Sequence, residues 1–283
     1  MILTVERKVK ALEELQPNTI ALDGAVRGPF IDVEKAIYSF DHHEGCIRHS
    51  TRSTCEQVRD AILLGLDPTS FDVLVNDVDG DTVMSVWLLS NPGRVSEDFV
   101  RQLVEEVGLL DSHGPAYPTG GLADAFHKSV MAPQVNEKRN KTYGSCDLSA
   151  LLQDCLKLLD GFIANPVSSL VEEKPRTYKI THEGNGFIMA ESDSFIFDLL
   201  YKAGFTKAVA YSQMKDGSFA YSIGKKSEFV QGFPVRKFLD ELNGIEPGWG
   251  GGTTIGGAPR NPDGSRSGLS PDRVFELLSE MIG

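Results

Sequence analysis

Cysteine is scarce in this 283-residue chain: Cys46, Cys55, Cys146 and Cys155 are the full set. Four thiols in a chain this long are too few for a disulfide scaffold, and eight residues within each pair is not zinc-finger spacing, so the expectation is reduced thiols. No stretch reaches the roughly 20 apolar residues that span a bilayer. The first residues, Met1-Ile2-Leu3-Thr4-Val5-Glu6-Arg7-Lys8, carry no apolar signal-peptide core after their charges, and the chain reads as cytoplasmic. A basic balance is also missing. The formal net charge is −12, which argues against a broad nucleic-acid platform but leaves room for a local basic pocket or for carboxylates that hold cations. No G-x-G-x-x-G follows the first predicted strand, which leaves hydride transfer on a dinucleotide fold poorly supported. No internal repeat stands out.

What is present is ordinary globular composition, 41% hydrophobic and 24% charged, over a length that suits two domains. Residues 6–15 have the periodicity of a short amphipathic helix ended by Pro17-Asn18. Strands are expected at 19–22, 36–40 and 71–76. Helices are expected at 53–66, 82–89 and 96–110, the last capped by Ser96. Residues 115 to 165 are mostly helical in pattern. Asn165 to Lys174, with Pro166 inside it and Pro175 after it, is the linker candidate. Beyond it come strands at 177–180 and 187–190, a helix at 193–202, a strand pair at 208–213 and 218–223, a helix at 235–243, a glycine-rich segment at 249–257 and a closing helix at 272–281. Alternating strands and helices predict an α/β fold with a mainly parallel sheet in an N-terminal domain, residues 1–165. A smaller α/β C-terminal domain is expected over 175–283.

Several acids stand where apolar runs stop. Asp41-His42-His43 ends the run Ala36-Ile37-Tyr38-Ser39-Phe40, Asp23 follows Ile20-Ala21-Leu22, and Asn76-Asp77-Val78-Asp79-Gly80-Asp81 follows the third strand. Asp111-Ser112-His113 closes a helix. Carboxylate and imidazole together suit hard or borderline divalent cations. Each motif taken alone is as well explained by a turn or a helix cap, since Asp favours both. Together they would converge, because open α/β sheets gather ligands outside the carboxyl ends of their strands.

As a set, these motifs resemble the DHH family of metal-dependent phosphoesterases. Asp41-His42-His43 falls on the name-giving motif, Asp77-Val78-Asp79-Gly80 on its D-x-D-G element, Asp23 on the single strand-end aspartate and Asp111 on the later aspartate. Ser50 to Val58 resembles the hydroxyl-rich helix start that follows DHH. Gly248 to Ala258 resembles the glycine-rich substrate loop of the family's C-terminal (DHHA1-like) domain. The order is unusual, with D-x-D after DHH. The ligand that normally precedes D-x-D is replaced by Val73, Val75 and Asn76, for which Asp81, Asp32 or His113 are the candidate substitutes. Thr253 stands where the loop normally has histidine.

The resemblance implies a two-metal phosphodiester or phosphoanhydride hydrolase acting on a small phosphorylated nucleotide or a short single-stranded oligonucleotide. It implies two divalent cations, manganese first and magnesium second, held by Asp23, His42, Asp77, Asp79 and Asp111. His43 would act on the phosphate or leaving group, with Asp41 supporting it. Arg48, Arg52, His113, Gly250, Gly251, Gly252, Thr253, Thr254 and Arg260 would contact substrate. No membrane is involved, and a homodimer is compatible. The alternative is a non-catalytic protein that senses nucleotide or metal through a degenerate site.

Overall fold

Short apolar runs rich in β-branched residues set the first sheet. The computed structural model describes residues 2–117, 119–165 and 176–282. In it, β1 (Leu3–Val5), β2 (Thr19–Leu22), β3 (Phe30–Asp32), β4 (Ile37–Phe40) and β5 (Asp72–Val75) lie in the order β1-β5-β2-β4-β3. The β1–β5, β5–β2 and β2–β4 pairs are parallel, and β3–β4 is antiparallel. Strand alternation divides the side chains between the two faces. Ile20, Leu22, Val73 and Val75 enter the main core, whereas Ala21 and Leu74 join a smaller cluster with Leu15, Ala25, Val26 and Ile37.

The main core is completed by α1 (Thr54–Leu63), α2 (Gly80–Ser90), α3 (Asp98–His113), α4 (Gly121–Ser129) and α6 (Leu148–Ala164), while α5 (Ala132–Arg139) adds only Gln134 to the buried residues. Helix α2 is buried along nearly its whole length, including Trp87 in its C-terminal half. Its all-round apolar character fits a helix packed on several sides.

The other compact unit holds a mixed sheet ordered β10-β11-β9-β8-β7-β6. Its strands are β6 (Lys179–Gly184), β7 (Phe187–Glu191), β8 (Lys207–Gln213), β9 (Phe219–Lys225), β10 (Gly250–Gly251) and β11 (Ile255–Gly257). Only β7–β8 pairs in parallel, across α7 (Phe197–Lys202). Met189, Val209, Tyr221 and Ile223 pack with α8 (Val235–Ile245) and α9 (Pro271–Ile282), while Ile188, Ala190 and Ala208 pack with α7. The fold is thus mixed α/β with two mixed sheets and, among the described residues, nine α-helices. None of these helices is long and apolar enough to cross a membrane.

Three local expectations are corrected. Residues 6–15 are not an α-helix. Leu3–Val5 is drawn into β1, the Glu6 N–H continues the pairing to the Val75 carbonyl, and the Lys10 N–H bonds the Ala25 carbonyl, leaving a 3-10 turn at Leu12–Glu14. Ser96 does not cap the third helix, which starts at Asp98 behind Glu97 without a side-chain cap bond. That helix also runs on through Asp111 to His113 rather than ending at 110. Strand β3 had no counterpart among the predicted elements. Apart from Asn165, the predicted linker at 165–174 lies outside the described residues.

Candidate metal centre

Two neighbouring parallel strands, β2 and β4, deliver Asp23 and Asp41-His42-His43 to one edge of the sheet. Asp23 and Gly24 both have positive φ, 51° and 79°, and the Ala25 N–H bonds the Leu22 carbonyl across them. That is the pattern of a type I′ turn, where Asp-Gly is a favoured pair. Next to β2 on its other side, β5 leads into the acidic segment, and Asn76 Nδ2 ties that segment to the Gly24 carbonyl at 3.1 Å.

His42 lies at the centre. Its side chain is fully buried, and Nε2 lies 2.9 Å from Asp111 Oδ2, 3.5 Å from Asp23 Oδ1 and 3.6 Å from Asp81 Oδ2. None of these acceptors is aligned for a hydrogen bond, so this buried nitrogen faces three carboxylates without a directed partner among the described residues. Its other nitrogen, Nδ1, is 3.5 Å from Ser112 Oγ. Two groups of ligand-capable atoms meet here, Asp23–His42–His43 and His42–Asp81–Asp111, each with its atoms within 4.8 Å of one another. Carboxylate oxygens with imidazole nitrogen form a donor set for Mn²⁺, Mg²⁺ or Zn²⁺, and a buried nitrogen left without a directed hydrogen bond is what such an ion would engage.

The electrostatics reflect this crowding. Burial opposes protonation of His42, but the Asp111 and Asp23 carboxylates outweigh it and push the imidazole up to about 10. Burial, then the charges of Asp23 and Asp111, push Asp81 up to about 7. Asp79 is raised well above the usual carboxylate range by burial and by Asp23, Asp111 and Asp81. Asp41 goes the other way. Its burial is overcome by the His43 ring and backbone N–H and by the Gly28 N–H, which hold it at about 2. The bond to Asp41 in turn raises His43, whose side chain is 39% exposed.

No family model matches the chain, and no curated protein matches it. The placement of each residue therefore rests on the geometry alone.

Asp23, His42, His43 and Asp111 meet in the cluster, and Asp79 lies close enough to share its field. Asp79 also caps α2, accepting the Thr82 N–H at 2.8 Å. Asp77 stands outside both ligand groups, its Oδ1 accepting from the Tyr143 hydroxyl and from the Val78 N–H. Asp81 takes the position in the cluster. From the first turn of α2 its carboxylate receives the Thr54 and Cys55 N–H groups at the start of α1, both at 2.7 Å. An acid sits favourably at that helix N-terminus. The signal for it was the third acid of Asp77-Val78-Asp79-Gly80-Asp81, two residues on from the pair assigned by resemblance. Asp32 instead accepts the Lys35 N–H within its own turn.

Arg48 joins the cluster through Nη2, at 2.9 Å from the Asp111 carbonyl and 3.2 Å from its Oδ2. Arg52 is engaged elsewhere, paired with Asp60 at 2.9 Å. His113 closes α3 beside His49, with ring centroids 5.9 Å apart. Thr54, within the hydroxyl-rich helix start noted in the sequence, and Thr82, given no role there, donate their hydroxyls to Asp23.

In the other unit, Gly250, Gly251, Gly252, Thr253 and Thr254 make the hairpin between β10 and β11. Gly251 has φ 150°, and a Cβ there would meet the Gly256 Cα and the Ile255 carbonyl. Close backbone packing is thus one demand on this glycine pattern. Thr253 Oγ1 donates to Glu228, Arg236 Nη1 bonds the Gly251 carbonyl at 2.9 Å, and Arg260 is exposed.

Proposed function

We propose that the protein is a metal-dependent phosphoesterase of DHH type, hydrolysing a phosphodiester or phosphoanhydride of a small nucleotide or short oligonucleotide. The observation that carries it is His42 Nε2, buried against Asp111, Asp23 and Asp81 with no directed hydrogen bond. Asp23, His42, Asp81 and Asp111 would hold divalent cations, with Asp79 beside them. A cation bound there would lower the pKa of a water and offset charge growing on phosphoryl oxygens.

The chain's own groups supply the rest. Asp41 Oδ1, 2.8 Å from His43 Nδ1, orients that ring and favours its proton on Nδ1. This leaves Nε2 of a half-exposed imidazole to exchange a proton with a leaving oxygen. Arg48 holds Asp111 through Nη2 and offers its remaining donors to a phosphate. The acidic balance of the chain favours small substrates over long duplexes.

The test is Mn²⁺ titration of the full chain by calorimetry, with turnover of bis-p-nitrophenyl phosphate. Uptake with turnover, both lost in His42→Ala and Asp111→Ala, supports the proposal. Uptake without turnover of that or of oligonucleotide substrates favours the sensor alternative. No uptake of Mn²⁺, Mg²⁺ or Zn²⁺ refutes the phosphoesterase and a metal sensor alike, and leaves only nucleotide sensing.

A further inference from the structure

Among the described residues, Asp23 pairs with no base other than the two histidines, yet it must keep its carboxylate among other acids. Its oxygens are each met by a buried hydroxyl. Thr54 Oγ1 donates to Oδ1 at 3.0 Å and Thr82 Oγ1 to Oδ2 at 3.3 Å. The Phe40 carbonyl competes for the Thr54 hydroxyl only at 3.4 Å. The same two residues hold the neighbouring acids through their backbones. Thr54 N–H donates to Asp81 Oδ2 at 2.7 Å, and Thr82 N–H donates to Asp79 Oδ1 at 2.8 Å. Each threonine therefore bridges Asp23 to a second carboxylate, from the first turn of α1 in one case and of α2 in the other. Both threonines are buried.

We propose that Thr54 and Thr82 are paired positioning residues that fix the spacing of Asp23 from Asp81 and Asp79 and thereby set the site's affinity for a divalent cation. The proposal rests on the metal-centre reading above. Without the hydroxyls, Asp23 would lose the bonds that fix its rotamer and would be free to turn from the nearby like charges, so its oxygens would no longer be placed in advance for a cation. Loss of such a supporting bond weakens metal binding by about tenfold to a hundredfold.

Valine matches threonine in shape and leaves both backbone N–H bonds in place, so Thr54→Val and Thr82→Val remove only the hydroxyls. The experiment is Mn²⁺ titration of the metal-stripped full chain by calorimetry, with far-UV circular dichroism to verify folding. Thr82→Val, which removes the longer bond, is the variant to rely on if Thr54→Val does not fold. Each valine variant is expected to weaken Mn²⁺ binding by about tenfold or more, with serine at the same position restoring it. Wild-type affinity in both valine variants, alongside weakened binding in Asp23→Asn, overturns this proposal alone. Equal weakening by valine and serine also overturns it, since that would mark a packing effect. A wild-type chain that takes up no Mn²⁺ defeats the metal centre itself, and the positioning role with it.

Discussion

Replacing Asp81 by asparagine sets two energies against each other. The aspartate is fully buried, and burial with the charges of Asp23 and Asp111 raises its pKa from 3.8 to about 7. The folded state keeps this proton up to about pH 7, whereas the unfolded chain releases it near 3.8, so stability falls as pH rises through that window. At pH 8 the full interval corresponds to about 4 kcal/mol held against the charged form. Asparagine removes that penalty. It keeps one acceptor for the Thr54 and Cys55 N–H groups but leaves the other N–H facing an amide donor, at a cost of about 1–3 kcal/mol.

The balance at pH 8 is a gain of about 1–3 kcal/mol in the metal-free protein, roughly 2–12 °C in Tm for a unit of this size. At pH 5 less than half of the penalty has developed, so the gain should vanish or reverse. The chain has two tryptophans, Trp87 in the first unit and Trp249 in the second. Thermal melts of a Trp249→Phe background in EDTA, followed by fluorescence, would therefore report the unit that carries Asp81. An asparagine variant destabilised equally at pH 5 and pH 8 would refute the reasoning, and Asp81 would be a helix cap and no more.

Mn²⁺ binding should release protons and weaken as pH is lowered from 8 to 6, because His42, raised to about 10, must give up its proton to bind. Calorimetry in two buffers of different ionisation enthalpy measures this, and a heat independent of buffer would contradict it. Ser53→Ala should cost about 1 kcal/mol, since it breaks the capping box with Glu56 at the start of α1; Trp87 fluorescence in urea would read the loss. Gly251→Ala should cost the second unit about 2 kcal/mol through its strained φ and the contact with Gly256, visible in Trp249 fluorescence. An unchanged midpoint would show that the hairpin shifts freely.

Much of the mixed α/β pattern was legible because strands such as Ile20-Ala21-Leu22 and Val73-Leu74-Val75 are short apolar runs bounded by Asp, Asn or Gly. The apolar periodicity of Val58, Ala61, Ile62 and Leu66 likewise placed α1. Residues 6–15 misled because Lys, Ala, Leu and Glu favour a helix, while the backbone pairing to Val75 and Ala25 that outweighs this preference involves residues distant in sequence. Strand β3 is too short to show alternation. At the site, the strand-end acids announced themselves, but sequence spacing could not divide the work among Asp77, Asp79 and Asp81. That division depends on which side chain reaches the start of α1 and which is taken by Tyr143. The hydroxyl-rich start of α1 drew notice to Thr54 but not to its role, and Thr82 drew none, since Thr in the first turn of a helix is unremarkable until its acceptor is known.

The strand order also bears on when the site can exist. β2 lies between β4 and β5, and β5 begins fifty residues after β2 ends, so Asp23, His42 and Asp81 meet only through non-local parallel pairing. Contacts of that kind carry the loop-closure cost that slows folding. A nascent chain made as far as His43 holds Asp23 and the two histidines but lacks both Asp81 and Asp111. Cations would therefore meet an incomplete set of ligands until α3 is made and β5 has docked, so metal capture should act as a late reporter of folding and not as its nucleus.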